Sequence, residues 1–225
     1  MTKESSEIDS CIYTFGQTAG RGQIGRFWYT GKDENLATTY LWNSVKLKAK
    51  EQFVLNMSFT LAIHDFLSKY IKEELCVKWP NDIYVGNKKI AGLLIQNVLR
   101  SDMISSSIMG VGININQDIF PDYIPNPTSL SNVTGQKYDL SQTLSELTHC
   151  VQERLSQLYL PSFNYKKLRA AYHVLLYRKN VISNFKIDSK IVSGIVKETT
   201  SEGKLIVELE EGLQTFNFRE IGFVI

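Results

Sequence analysis

Apolar residues between positions 51 and 71 recur as Leu55, Phe59, Ile63, Phe66 and Tyr70, at spacings of four, four, three and four. That is the period of an α-helix with one buried face, so the spacing predicts a helix from Glu51 to Ile71. The same period returns at Leu140, Leu144, Leu147, Val151, Leu155 and Leu158. Asp139 stands where an N-cap belongs, Gln142 follows three residues later in capping-box position, and Pro161 ends the segment. A further helix is predicted over Tyr165 to Tyr177.

Other stretches read as strands. Cys11 to Phe15 is a short β-rich run ended by the polar, glycine-rich stretch Gly16 to Gly25. Val77-Lys78-Trp79 is a strand stopped by Pro80-Asn81, and Ile83 to Val85 and Ile90 to Val98 flank the turn pair Gly86-Asn87, which predicts a hairpin. Ile104 to Ile115 reads as the next strand. Three prolines between Phe120 and Pro127 exclude a helix there and predict an ordered surface loop. After Arg178-Lys179-Asn180 the character changes to short alternating runs with turn pairs at Glu202-Gly203 and Glu211-Gly212. Lys204 to Glu210 puts Leu205, Val207 and Leu209 on one side. Several strands with tight turns in so short a span predict a small barrel, with a domain boundary near Tyr177 that divides the chain into 1–177 and 178–225.

Composition narrows the class. Of 225 residues, 43% are hydrophobic and 21% charged, ordinary globular values that exclude a disordered chain, a collagen or a coiled coil. Twenty-five Lys+Arg against 23 Asp+Glu leave +2, too little for long-range attraction to nucleic acid or anionic lipid. No apolar run approaches the roughly 20 residues of a membrane span, and Met1 to Glu7 lacks the apolar segment of a secretory signal. Cys11, Cys76 and Cys150 are too few and too scattered for a disulfide framework or a zinc site, and read as buried free thiols of a cytoplasmic protein.

Four runs carry candidate chemistry. Gly20-Arg21-Gly22-Gln23-Ile24-Gly25 satisfies the dinucleotide pattern G-x-G-x-x-G. However, the following Arg26-Phe-Trp-Tyr-Thr-Gly31 is a poor helix start, and no acidic residue stands at Tyr40-Leu-Trp-Asn43, so a Rossmann loop is excluded. A P-loop fails because Arg26-Phe27 stands where Lys-Ser/Thr is required. A glycine-rich loop with two guanidiniums remains, which suits either an anion or a solvent-exposed hairpin. Lys78-Trp79-Pro80-Asn81-Asp82 fits a polar site or a surface turn with Trp79 over the core. Lys88-Lys89-Ile90-Ala91-Gly92 fits a solvated hairpin or, through its small residues, close approach of a ligand. In Gly110-Val-Gly-Ile-Asn114-Ile-Asn116, a mid-strand Asn114 needs either a structural hydrogen bond or a ligand.

Together, Gln17-Thr-Ala-Gly-Arg-Gly-Gln-Ile-Gly25, Lys78 to Asp82, Lys89-Ile-Ala-Gly92 and Gly110 to Asn116 occur in the order and approximate spacing of biotin protein ligases, and the chain resembles that family over essentially its whole length. Pro125 to Leu130 and the terminal Phe216-Asn-Phe-Arg-Glu-Ile221 also look like it. The resemblance implies an α+β fold: a class II synthetase-like catalytic domain with a mixed sheet backed by helices, then a C-terminal SH3-like β-barrel. It implies a biotin–[acetyl-CoA-carboxylase] ligase that makes biotinyl-5′-AMP from biotin and Mg-ATP and then passes biotin to a lysine of a biotin carboxyl carrier protein. Lys89 would bridge the biotin carboxylate and the α-phosphate, and Arg21 would neutralise phosphates. Gly20 and Gly22 would let backbone N–H groups close on the intermediate, with Gln17 and Gln23 beside biotin. Asn81, Asn114 and Lys78 would lie at the nucleotide, and Asp82 would be a further nucleotide or Mg2+-linked carboxylate.

Two features depart from the family pattern. Position 23 is Gln where many members carry Arg, which removes one charge from the loop. The Ser-Thr-Asn run that usually lies some 20 residues before the glutamine is missing from the 16 residues before Gln17; Asp9-Ser10-Cys11 matches only its start. A lipoate-type ligase and a non-catalytic protein that binds biotin or its carrier therefore stand as alternatives. The chain resembles the non-repressor class, without DNA or membrane partners, as a monomer or homodimer.

Overall fold

The computed structural model describes residues 8–224 apart from positions 24, 44 and 73; the readings of Met1 to Glu7 and of Ile24 in the glycine loop lie outside the described residues. Strand β1 (Ser10–Thr14) pairs with β2 (Leu36–Asn43), which leads through a short 3-10 turn into α1 (Gln52–Leu67). Then come β3 (Leu75–Lys78), β4 (Asp82–Val85), β5 (Lys88–Arg100) and β6 (Met103–Ile113). Three helices follow: α2 (Leu130–Thr134), α3 (Leu140–Ser156) and α4 (Tyr165–Val174). The chain closes with β7 (Ile182–Ile187), β8 (Lys190–Thr199), β9 (Leu205–Leu209), β10 (Gly212–Phe216) and β11 (Ile221–Phe223).

The first sheet has the order β1-β2-β6-β5-β4-β3 with helices on one face, so the expectation of a sheet backed by helices holds. The expected mixture of strand directions does not. Each strand ladder is antiparallel, and the parallel contacts are single bridges, among them Val77 with Leu176 and Lys89 with Pro127. Short turns join β3 to β4, β4 to β5 and β5 to β6, and a parallel pairing would need a crossover much longer than any of them. The hairpin at Gly86-Asn87 forms as the sequence predicts, with Val85 opposite Lys88.

Strand β2 escaped the sequence reading, yet it lies inside the sheet between β1 and β6. Its alternate residues Leu36, Thr38, Tyr40 and Trp42 are buried against the helices, a period of two carried by β-branched and aromatic side chains. Helix α1 departs from expectation in the other direction. The stripe Leu55, Phe59, Ile63 and Phe66 is buried, but so are Val54, Met57, Ser58, Thr60, Leu61 and Ala62, because α3 and α4 cover the face turned away from the sheet. Helix α3 begins where Asp139 Oδ1 accepts the Gln142 backbone N–H at 2.7 Å; the reciprocal half of the box is missing because the Gln142 side chain donates to Glu146. Of the three thiols only Cys150 is buried, while Cys11 and Cys76 are half-buried, which corrects the expectation for those two.

The second sheet, β10-β9-β8-β7-β11, is antiparallel throughout, with Gly203 and Gly212 at positive φ in the two turns. Its inward residues Phe185, Val196, Leu205, Val207 and Phe216 join the core cluster of the first sheet. Polar contacts from the β3–β4 turn and from α4 tie the second sheet to the rest of the fold. Trp79 Nε1 donates to the Gly203 carbonyl at 2.9 Å. On α4, His173 Nε2 accepts the Thr199 N–H at 3.1 Å, which leaves the ring proton on Nδ1, 3.4 Å from Glu198 Oε2. Burial first, then the neighbouring Arg169, holds this imidazole well below its ordinary value, at about 4.

Candidate active site

A cleft of about 1630 Å³ opens on the face of the first sheet that the helices leave uncovered. Its floor is set by strand register. Ala37 on β2, Gly112 on β6 and Gly92 on β5 lie opposite one another in adjacent strands, so three small residues share one row. The space above them belongs to Trp28. A Cβ at Gly112 would overlap the indole, and one at Gly92 would come within 3.0 Å of it. The absence of side chains at these two positions is what lets the indole approach the sheet so closely.

Trp28 arrives at the end of the glycine loop, which is a hairpin: the Trp28 N–H donates to Gly20 O at 3.0 Å, Gly22 N to Arg26 O at 2.9 Å, and Arg26 N to Gln23 O at 2.8 Å. Of the two readings of the loop, the hairpin is therefore the geometry observed, and it lines the cleft with Gln17, Gly20, Arg21, Gly22, Gln23 and Arg26. Gly20 is needed by the hairpin itself, since a Cβ there would overlap the Trp28 carbonyl. Gln17, Arg21 and Arg26 are exposed.

Lys89 is the second residue of β5 and lines the same cleft. The proline-rich loop, far from being a bystander, zips onto it: Lys89 N donates to Asn126 O at 2.7 Å and Thr128 N donates to Lys89 O at 2.9 Å. Its ammonium sits 2.7 Å from Asp82 Oδ1 and 5.4 Å from the Trp28 ring centroid. A register shift between Ile83 and Tyr84 brings Asp82 and Lys89 to the same side of the hairpin. Lys78 lies nearby, its Nζ donating to Tyr84 Oη at 3.1 Å with the Phe223 ring 5.8 Å away. Burial is the main cause that lowers the Lys78 pKa; Asp82 opposes it, and Lys89 and Arg26 add to it. Burial likewise raises that of the Tyr84 phenol.

Each sequence-predicted site residue thus lines one cleft. The two asparagines are committed in part to the fold: the Asn81 side-chain amide donates to Leu93 O, and Asn114 Nδ2 donates to Thr128 O at 2.9 Å. Asn114 Oδ1 is buried without a hydrogen bond, as are Trp28 Nε1 and Thr30 Oγ1, and all three residues line the cleft. Thr30 was missed in the sequence, and Trp28 was read only as the end of the segment that follows the glycines, not as the side chain that covers the sheet. The second sheet also reaches the cleft through Phe185, Phe218 and Phe223. Among the described residues no group of three or more His, Cys, Asp or Glu side chains is placed to hold a metal ion. Asp82 is the carboxylate beside Lys89, with Asp188 and Glu220 elsewhere on the lining; one carboxylate suits a magnesium ion that arrives on nucleotide phosphates rather than a protein-built cage.

The cleft thus joins a floor of small and apolar residues to walls that carry Lys78, Lys89, Arg21 and Arg26. Residues 4–114 match the model of the Biotin/lipoate A/B protein ligase family. Among curated relatives, the chain is 28% identical over 202 residues to the Bifunctional ligase/repressor BirA of Bacillus spizizenii, covering 88% of this chain and 61% of that protein. The chain therefore spans less than two thirds of that relative. It is 25% identical over 214 residues to the Biotin--[acetyl-CoA-carboxylase] ligase of Paracoccus denitrificans, covering 92% of this chain and 87% of that one. Among solved structures, a biotin protein ligase from Aquifex aeolicus in complex with biotin and ATP aligns with a TM-score of 0.79 at 22% identity, over 99% of this chain and 91% of that chain, a likeness of fold.

Proposed function

We propose that the protein is a biotin protein ligase: it activates biotin with ATP and transfers it to a lysine of a biotin carboxyl carrier protein. The observation that carries this reading is the convergence of Lys89, Arg21, Lys78 and the glycine hairpin on one cleft whose floor is apolar. Similarity to the Paracoccus ligase over nearly the full length of both chains supports it.

In the first step a carboxylate oxygen of biotin attacks the α-phosphorus of ATP, the bond to the bridging oxygen breaks, and pyrophosphate leaves. An anion approaches a polyanion, so cations must already be in place. Lys89, fixed at its backbone by the proline-rich loop, holds its ammonium where the carboxylate and phosphate meet, and trades Asp82 for them as they arrive. Arg21 turns in from the exposed hairpin to the phosphates, and Lys78 supplies a second fixed charge. A magnesium ion held on the phosphates with Asp82 would neutralise part of the leaving pyrophosphate. Gln17, Gln23, Gly20 and Gly22 lie along the biotin side; Asn81 and Asn114 lie along the nucleotide side.

In the second step the neutral ε-amine of the carrier lysine attacks the acyl carbon of biotinyl-5′-AMP, and AMP leaves with the electron pair of the acyl–oxygen bond. Between the steps the hairpin and Trp28 keep water from the mixed anhydride. We read the second sheet as the SH3-like barrel of the family, with the domains meeting near residue 177, and three free cysteines suit a cytoplasmic setting.

The test is biotin-dependent exchange of labelled pyrophosphate into ATP, run in parallel with lipoate. Exchange with biotin alone supports the reading. Exchange with lipoate alone would replace it with a lipoate ligase, and biotin binding without exchange would leave a binding protein.

A further inference from the structure

Gln117 is 1% exposed and lies outside the motifs discussed so far. Its Oε1 accepts from the Gly31 N–H at 3.2 Å and from Asn35 Nδ2 at 2.5 Å, while its Nε2 donates to the Ile119 carbonyl at 2.9 Å. Asn35, fully buried, is oriented in turn by accepting the Ile115 N–H at 2.9 Å. Gly31 is where the glycine hairpin re-enters the fold, and Ile119 is where the proline-rich loop leaves it. One buried side chain therefore holds the roots of both loops that wall the cleft, and the far end of the proline-rich loop is zipped to Lys89.

We propose that Gln117 is the positioning residue that couples the two loops, so that ordering the glycine hairpin over one ligand orders the proline-rich loop and Lys89 for the other. The coupling rests on the biotin-and-ATP reading for its ligands, but the shared root is a property of the ligand-free chain. Opening the proline-rich loop at Ile119 leaves the Gln117 Nε2 donor without its acceptor, and opening the hairpin at Gly31 removes one of the two donors to Oε1, so each opening loosens the side chain on which the other loop is rooted. Two ligands that each close one loop then help one another, by a factor that is the same in either order of binding.

Gln117→Glu separates the two halves of the device. It keeps oxygen acceptors for Gly31 and Asn35 and loses the donor to Ile119. Hydrogen exchange on the ligand-free protein should show residues 119–126 exchanging at least about fivefold faster, with 25–31 unchanged. Gln117→Leu should speed both segments, with α1 and β9 as unmoved controls. In the wild type, biotin should tighten binding of a non-hydrolysable ATP analogue by roughly fivefold or more, and in both variants that factor should fall towards one. Should the leucine variant not fold, the glutamate variant carries the test alone. Equal loosening of both loops in Gln117→Glu, no change in either segment, or a wild-type factor of one or one that survives in the variants would overturn the proposal. Loss of pyrophosphate exchange in the wild type with the exchange pattern intact would instead sink the ligase reading and leave the shared root standing.

Discussion

Lys89→Ala offers the sharpest test of the cleft, because the ammonium has one partner at rest and another during reaction. At rest it is 2.7 Å from Asp82, with side-chain exposures of 28% and 18%. At an effective dielectric near 20 the pair attracts by about 6 kcal/mol, most of which offsets the desolvation of two ions. Lys78 remains near enough to Asp82 for the two to influence each other's charge, so the carboxylate is not left without a counter-ion. The net loss of stability should then be about 1–2 kcal/mol, or roughly 2–8 °C in Tm for a chain of this size. The reaction has no such substitute, since Lys78 is held on Tyr84. Removing a fixed charge that faces a developing one costs about 10²- to 10³-fold in rate. Pyrophosphate exchange should fall by that factor while the Kd for biotin, by calorimetry, changes less than about tenfold. Equal losses in exchange rate and biotin affinity would show that Lys89 serves binding alone, and the transition-state argument would be wrong.

Gly112→Val places a side chain where the Trp28 indole lies; it should cost about 1–3 kcal/mol and shift tryptophan emission to the red, and unchanged emission with unchanged biotin affinity would refute the floor geometry. His173 binds its proton at about 4 in the folded chain, below the ordinary 6.5. The unfolded chain therefore takes up more protons between those values, so stability is complete above about pH 6.5 and declines as pH falls towards 4, by up to about 3 kcal/mol. Urea melts at pH 7 and 4.5 should show this slope, and His173→Gln should flatten it. Trp79→Phe removes the donor to Gly203 and should lower stability by about 1–3 kcal/mol, seen as a lower urea midpoint. Asp139→Ala removes the cap of α3 and should cost about 1 kcal/mol in the same assay.

The chain's own order of residues determined those features whose cause is local. The stripe Leu55 to Phe66 requires a helix whatever surrounds it, the Gly86-Asn87 pair requires a tight turn between its strands, and prolines 121, 125 and 127 forbid a helix. The residue types at Gly20 to Gly22, Lys78 to Asp82 and Lys89 likewise marked the stretches that line the cleft, although each run alone also suited a surface turn or a solvated hairpin. Tertiary structure decided what depends on residues far apart in the chain. Register across β2, β6 and β5 put Ala37, Gly112 and Gly92 in one row and made room for Trp28. Packing of α3 and α4 buried the second face of α1, which its own pattern did not require. Pairing of Asp82 with Lys89, and of Gln117 with Gly31, Asn35 and Ile119, arises from hydrogen-bond distances that only a folded chain can set. Periodicity reports how a residue sits on its own element; contacts between elements depend on the shape of the whole, and a single sequence carries that shape only implicitly.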